Sequence, residues 1–432
     1  MRPFPHPSER GFSMVELMIA MLIGLIGMII IFQVFEVSEG IKRTTTSGGD
    51  AQQNGAVALY VVEHDLRNAG MGFNDVPYAG CRILAYDSKR ATPNFTMTLV
   101  PALICAPGST APGGNCPGTG AAGTTPDQLT IFYGSKPLIA NATTLTNNVS
   151  AVPPDPLQLA NPYAYRPGDL LVLLEPASGK NCSLLEATLV GTPGATTVNH
   201  ASSASYTLLD TLTIETARFN RPGGLGVLYL GSVAGANATR VFNLGNLYEP
   251  ANAPNMPVYN TYAIDAGNSL TVSAAFVGKD AASAPLTSAV ADNIVHLRAQ
   301  YGVDDGINDG SVTFGGTFVA GDGLIDRFVS AATFNALPTP PWQSLVAVRL
   351  AIVARSALAE KPSGSDGAKC DATTDGTESI SSPDNRPRWS GGLIDVSASA
   401  DADPASLLYW KCYRYRVFET TVPLRNWIWK SS

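Results

Sequence analysis

From Leu17 to Phe32 the chain carries no polar side chain, only aliphatic residues, methionines and one phenylalanine, with Ala20, Gly24 and Gly27 among them. Such a run must be received by something hydrophobic, either a protein core or a bilayer. Counted from Met14 to Phe35 it makes a helix of the length a bilayer requires, about 20 residues at ~1.5 Å rise each. The preceding residues, Met1 to Gly11, are polar and hold Arg2 and Arg10. A secretory signal peptide is also basic and then apolar, but it ends in a small-x-small cleavage site. Here Phe32-Gln33-Val34-Phe35-Glu36-Val37 follows, so the run is expected to stay in the protein. Charge does not orient it, because Lys42 and Arg43 beyond the span balance Arg2 and Arg10 before it.

One residue breaks the apolar pattern where a charge costs most. Glu16 lies near the start of the span, and an ionised side chain within hydrocarbon costs roughly 2.5 kcal/mol or more unless it is paired. Its surroundings, Arg10-Gly11-Phe12-Ser13-Met14-Val15-Glu16-Leu17, resemble the processing signal of type IV prepilins: a glycine, a phenylalanine, then an apolar helix with glutamate fifth after the glycine. The resemblance implies that prepilin peptidase cuts between Gly11 and Phe12 and that the new N-terminus at Phe12 is methylated. It also implies that Glu16 answers the N-terminal amine of a neighbouring subunit during assembly. An ammonium group is the partner a carboxylate in lipid needs.

No proline occurs between Phe12 and Val76, which permits a long helix there. Ser47-Gly48-Gly49-Asp50 reads as a break or bend, with Asp50 and Gln53 as a capping box for a second, amphipathic helix over 50–70. Gly55, Leu59, Val62, Leu66 and Ala69 form a narrow apolar stripe suited to lying on a sheet, and Asn54, Glu63 and Arg67 form the opposite face. His64, near that polar face, carries no assigned role.

Past Gly80 the composition changes the expectation. With 45% hydrophobic residues, only 15% charged, 41 glycines and 31 prolines in 432 residues, the chain favours strands joined by turns over helical bundles. Short apolar or alternating runs fit strands at Gln128–Tyr133, Asp169–Glu175, Leu184–Val190, Tyr206–Ile214, Gly226–Leu230, Arg240–Leu247, Leu270–Val277, Ile294–Tyr301, Leu345–Ala354 and Tyr413–Val422. The fold class that follows is α+β: a long N-terminal transmembrane helix packed on a predominantly antiparallel β-rich globular domain, an outline that the resemblance to prepilins implies is pilin-like. The expected divisions are a leader over 1–11, the helix over 12–70 with its membrane part at 12–35, and a β-rich domain over 71–432. Residues 106–127 and 361–389, rich in Gly, Pro, Ser, Thr and Asp, read as exposed loops.

All six cysteines, Cys81, Cys105, Cys116, Cys182, Cys370 and Cys412, lie beyond the apolar run and none forms a C-x-x-C pair. That suits disulfides in an oxidising compartment better than a metal site. Cys105 with Cys116 is the preferred pair because both border the first loop. Among the open connectivities of the rest, Cys370 with Cys412 brackets the second loop, leaving Cys81 with Cys182.

Four further segments resemble the PilW family of type IV pilus minor pilins. Asn54-Gly55 followed by Asp65-Leu66-Arg67-Asn68-Ala69-Gly70 is similar to its D-[IL]-R-x-A-G helix end. Val295-His296-Leu297-Arg298-Ala299-Gln300-Tyr301-Gly302-Val303-Asp304 looks like its Y-G-x-D strand, and Trp342 with Leu345-Val346-Ala347-Val348-Arg349 like its tryptophan-led strand. Arg416-Val417-Phe418-Glu419-Thr420-Thr421-Val422-Pro423-Leu424-Arg425-Asn426 resembles its closing strand. The resemblance implies a non-enzymatic subunit that helps initiate a type IV pilus, near the tip with other minor pilins. Its implied partners are minor and major pilins, prepilin peptidase, the inner-membrane assembly platform and a tip adhesin. The implied location is single-pass in the bacterial inner membrane, with the domain in the periplasm and later in a surface pilus. A minor pseudopilin of type II secretion and a membrane-anchored adhesin or ligand-binding module are the alternatives, and residues 82–286 match no known pattern.

Chemistry beyond assembly has little to stand on. Asp304, Asp305, Asn308 and Asp309 gather the oxygen ligands calcium prefers, but Ile307 occupies a ligand position of the EF-hand pattern, and Asx-rich turns need no metal. No other cofactor is expected. The sequence holds no G-x-S-x-G, H-E-x-x-H or P-loop motif, and His6, His64, His200 and His296 are scattered. A net charge of -7 with no basic stripe argues against nucleic-acid binding.

Overall fold

The computed structural model describes residues 11–73, 79–111, 114–115, 125–135, 142–147, 156–161, 163, 165–174, 181–190, 197–209, 212–223, 239–247, 256–277, 283–304, 323–337, 340–360, 370 and 386–428. Helix α1 runs Met14–Asn68. The principal strands then follow as β1 Arg82–Tyr86, β2 Asn94–Thr98, β3 Ala102–Cys105, β4 Gln128–Tyr133, β5 Asp169–Leu174, β6 Asn181–Glu186, β7 Ser205–Thr207, β8 Ile214–Thr216 and β9 Arg240–Asn246. The second half contributes β10 Val258–Ile264, β11 Ser269–Ala274, β12 Leu286–Asp292, β13 Ile294–Val303, β14 Arg327–Ser330, helix α2 Ala331–Asn335, β15 Leu345–Arg355, β16 Tyr415–Pro423 and helix α3 Arg425–Ile428.

Three sheets carry the domain. The first has the order β2-β1-β6-β5-β9 with Thr143–Thr144 at its edge, the second β12-β11-β10-β4-β3, and the third β14-β13-β15-β16. All their pairings are antiparallel except β1 with β6. The α+β architecture with an N-terminal apolar helix is therefore the observed one.

Two expectations about local structure are corrected. The helix does not break at Ser47-Gly48-Gly49-Asp50; α1 passes through as one element of 55 residues. Each glycine costs about 1 kcal/mol against alanine in a helix, while a break would leave four carbonyls and four amides to be capped anew. Ser47 is buried there and its Oγ accepts from Leu358 N at 3.3 Å, so tertiary contact holds the region helical. The run Tyr206–Ile214 is likewise two strands of a hairpin, β7 and β8, and Gly226–Leu230 lies outside the described residues.

The second half of α1 packs as its stripe demands. Ala51, Gly55, Ala58, Val62, Leu66 and Ala69 are buried, whereas Leu59 is only partly so. Gly55 is required by close approach: a Cβ there would fall on the ring of Phe418 in β16. Gly70, with φ +80°, supplies the left-handed residue after the helix end, and its N–H donates to Phe132 O at 2.9 Å. The central strands β13 and β15 are buried almost throughout because both of their faces are covered. The main core with α1 lies on one side, and Ile394, Val396 and Trp410 from the connection before β16 cover Val295, Ala351 and Val353 on the other. Strand β5 is buried on both faces in the same manner, between the main core and a satellite core containing Leu145, Leu157, Leu159 and Val198.

Two disulfides fasten this arrangement. Cys81–Cys182 ties the start of β1 to β6 across a separation of 101 residues, a loop whose closure in the unfolded chain is worth about 4.7 kcal/mol in the chain-entropy model. Cys370–Cys412 closes 42 residues beside the third sheet. Cys105 is disulfide-bonded as well, and its expected partner Cys116 lies outside the described residues.

Gly55→Ala should destabilise the domain by about 1–3 kcal/mol, the usual cost of overpacking. The measurement is a shifted urea midpoint for the detergent-solubilised chain; an unchanged midpoint would show that Phe418 yields without cost.

Candidate functional site: the two ends of the long helix

At its first end α1 begins with a capping box. Ser13 is the N-cap, its Oγ accepting from Val15 N at 3.3 Å, and Glu16 Oε2 accepts from Ser13 N at 3.1 Å. The Glu16 carboxylate thus sits where free amides and the helix dipole favour negative charge. Gly11 and Phe12 precede the cap in non-helical conformation; Phe12 is 86% exposed and nothing lies within 4 Å of where a Gly11 Cβ would stand. Beyond them, Met14–Glu39 is a stretch of 26 residues, long and apolar enough to cross a membrane, with none of it buried against the domain. The S-x-x-E spacing of Ser13 and Glu16 is visible in the sequence, but its capping role is seen only once the helix is known to start at Met14.

The other end of α1 is held by polar contacts. Asp65 is buried and accepts from Tyr262 Oη at 2.7 Å, Asn260 Nδ2 at 2.9 Å and Tyr133 Oη at 3.0 Å, which pins the helix to β10 and β4. Burial, and then the Asp65 carboxylate, push both phenols up from their usual range. Asn426 Nδ2 donates to Arg67 O at 3.2 Å, filling a carbonyl that the helix end leaves open. Trp427 is fully buried beside Phe73, and its Nε1 donates to Trp342 O at 3.2 Å. Trp342 meets Tyr301 edge-on, with centroids 5.9 Å apart. The helix end, the Y-G-x-D strand, the tryptophan-led strand and the chain's closing segment therefore meet at one seam.

The polar face of α1 behaves as expected, with Arg67 paired to Glu63 at 2.6 Å and Asn54 bonded to Asp292 O. His64 is exposed, its Nδ1 3.7 Å from Asp65.

A second polar centre lies in the segment 82–246 and had no signal in the sequence, because its members are far apart in the chain. Arg218 forms a two-pronged pair with Asp87 at 2.6 and 2.7 Å and donates to Val277 O at 2.7 Å. Glu186 accepts from Tyr206 Oη, Arg218 N and Phe219 N, which fastens the β7–β8 hairpin to β6. Burial raises the Glu186 carboxyl, opposed by those hydrogen bonds and the charge of Arg218.

Of the four calcium candidates, Asp305, Asn308 and Asp309 lie outside the described residues. Asp304 is buried, with Oδ2 accepting from Gly323 N at 2.7 Å across 19 residues of chain. No group of three or more His, Cys, Asp or Glu that could hold a metal occurs among the described residues.

Comparison with protein-family models fits this geometry. The model described as type IV pilus-assembly protein W, PilW, matches residues 261–426, and that of the prokaryotic N-terminal methylation motif matches residues 6–32. Residues 261–426 are PilW-like, and a prepilin-type signal stands at the N-terminal end of the chain. Comparisons with curated proteins and with solved structures give no match. The PilW match spans most of β10, all of β11 and β12, and the whole third sheet, so the PilW-like part is the half of the domain on which α1 is seated. The first sheet is built outside it. Together the two matches support a type IV pilus-related pilin whose N-terminal helix is long and apolar enough to cross a membrane.

Asp65→Ala should cost about 3 kcal/mol, since it strands two phenols and an amide in the seam, and denaturant titration would register it. For Glu186 the raised carboxyl value means the protonated form is favoured in the fold. Its contribution is complete below its ordinary value of 4.5 and is lost as pH rises through the raised one. Glu186→Gln, in which the Tyr206 hydroxyl turns to accept, should therefore gain stability relative to the parent between pH 4.5 and 7; urea midpoints across that range check the slope.

Proposed function

We propose that this PilW-like chain is a minor pilin: a subunit cut after Gly11 by prepilin peptidase, methylated at Phe12, and used to initiate type IV pilus assembly near the tip with other minor pilins. The observation that carries the reading is the bare apolar half of α1 with Glu16 in its first turn, continuous with the half that seats the domain. A helix uncovered by its own domain needs a foreign surface along its whole length. Lipid supplies that surface first, and a bundle of sister helices replaces it with equally apolar packing. Glu16 then exchanges the amides of its own cap for the ammonium group of a neighbour, which compensates its charge more fully.

The same reading places the domain in the periplasm, where the disulfides form, and gives the assembly platform of the inner membrane as the partner that moves the helix out of the bilayer. The fold serves as scaffold, and no enzymatic activity is proposed.

Gly11→Leu should leave the leader attached, so that mass spectrometry of the chain purified from its host finds no product beginning at Phe12. Glu16→Gln keeps an oxygen to cap Ser13 but removes the charge. It should reach the membrane at the parental level and be depleted several-fold from sheared filaments; parental incorporation would sink the charge-pairing role.

A further inference from the structure

Among the described residues Ser47 is the first of α1, counted from Met14, to be buried. The domain therefore takes hold of the helix one residue before Gly48-Gly49, two residues of the type with the least helical preference after proline. Nothing lies within 4 Å of where a Cβ of either glycine would stand, so no side chain packs on the pair itself. What holds the helix there is the contact on Ser47 before the pair and the burial of Ala51 after it.

The contact on Ser47 comes from the residues that leave β15. Leu358 N donates to Ser47 Oγ at 3.3 Å, and the segment carrying Leu358 is fastened in turn to the chain that enters β16. Ser356 N donates to Arg414 O at 2.8 Å, Arg414 N to Ser356 Oγ at 3.1 Å, and Ser356 Oγ to Leu358 O at 2.9 Å. Arg414 also pairs with Glu360, and Glu360 N donates to Cys412 O at 2.7 Å. Cys370, ten residues beyond Glu360 in the chain, is bonded to Cys412 as well. The stretch 360–370 thus has both its ends fixed on one residue, by a hydrogen bond at one and a disulfide at the other. A covalent tie so close in the chain keeps Glu360 at a high effective concentration beside Cys412, and opening it gives that freedom back to the segment.

We propose that residues 356–360 form a clasp on α1, locked by the Cys370–Cys412 disulfide, and that the clasp decides whether the helix runs unbroken through Gly48-Gly49. With both cysteines reduced, the segment leaves Ser47 part of the time and the helix frays at the two glycines, whose amides then exchange with water. Oxidation closes the clasp. The two thiols give up two protons and two electrons, an oxidant of the disulfide class takes them up and becomes two thiols, and the S–S bond forms between Cys370 and Cys412. At that step the bare first half of α1 and its seated second half become one rod, so the domain moves with its anchor only in the oxidised chain. The inference goes beyond the proposed function and does not depend on it, since it concerns how the helix is held, whatever receives its apolar half.

The test is hydrogen–deuterium exchange on the full-length chain in detergent, read by mass spectrometry on peptides covering 44–54 and, for comparison, 55–68 and β15. Cys370→Ser should raise exchange over 44–54 several-fold and leave 55–68 and β15 at parental rates. Adding Gly48→Ala with Gly49→Ala, which meet no neighbour, should bring 44–54 back to the parental rate; a general loosening of the domain would not be rescued there. Ser47→Ala, with both cysteines in place, should raise exchange over 44–54 as Cys370→Ser does. Parental exchange in Cys370→Ser or in Ser47→Ala, or an acceleration that spreads to 55–68 and survives the two alanines, overturns the clasp. So does a Cys370→Ser chain that fails to fold, because the lock acts on the helix and leaves the domain standing.

Discussion

The seat of α1 on the second and third sheets is the contact on which everything else in this molecule depends. One helix of 55 residues faces two different surroundings: its first half has no protein against it, and its second half is the central strut of a β domain. In the proposed function the first half passes from lipid to other helices, which requires the second half to be fixed rigidly enough to carry the domain with it. Three features fix it. Gly55 lets β16 approach to van der Waals contact, Asp65 gathers donors from β4 and β10, and Asn426 closes the carbonyl end. Continuity through Gly48-Gly49 matters equally, because a break there would uncouple the anchor from the strut.

The seam also explains why segments far apart in the chain carry the PilW resemblance. Leu66, Tyr301, Trp342, Leu424 and Trp427 are all buried in the main core, and the polar residues beside them satisfy backbone groups that this core encloses. Such positions tolerate few alternatives: a buried carboxylate needs its donors, and a glycine under an aromatic ring admits no side chain. The first sheet packs one face on this core and the other on its own satellite core.

Much of this was legible in the sequence, for identifiable reasons. The apolar run, the carboxylate at Glu16 and the helical stripe before Gly70 are local patterns, and local patterns survive being read one residue at a time. Strands buried on both faces, such as β5 and β15, announced themselves as apolar runs. Gly48-Gly49 reads as a break yet stays helical, because glycine's propensity is a small term, outweighed by the burial of Ser47 and the cost of two new helix ends. The roles of Asp87, Glu186 and Arg218 were invisible, since nothing local to Arg218 states that a carboxylate 131 residues away will be its partner.

That invisible centre has a physical consequence for the elements it holds together. A buried ion pair contributes little to stability beyond what an apolar pair would, because desolvating both charges offsets their attraction, yet removing one partner leaves the other buried and uncompensated. Asp87 follows β1, Arg218 follows β8, and the carbonyl that Arg218 also engages belongs to Val277 after β11. The pair therefore penalises any arrangement in which the β7–β8 hairpin, the first sheet and the second sheet are not brought together as observed. The Glu186 carboxylate adds a second such condition through Tyr206 and the amides of Arg218 and Phe219. The hairpin and the two sheets beside it are thus held together by groups that lose their partners in any other arrangement.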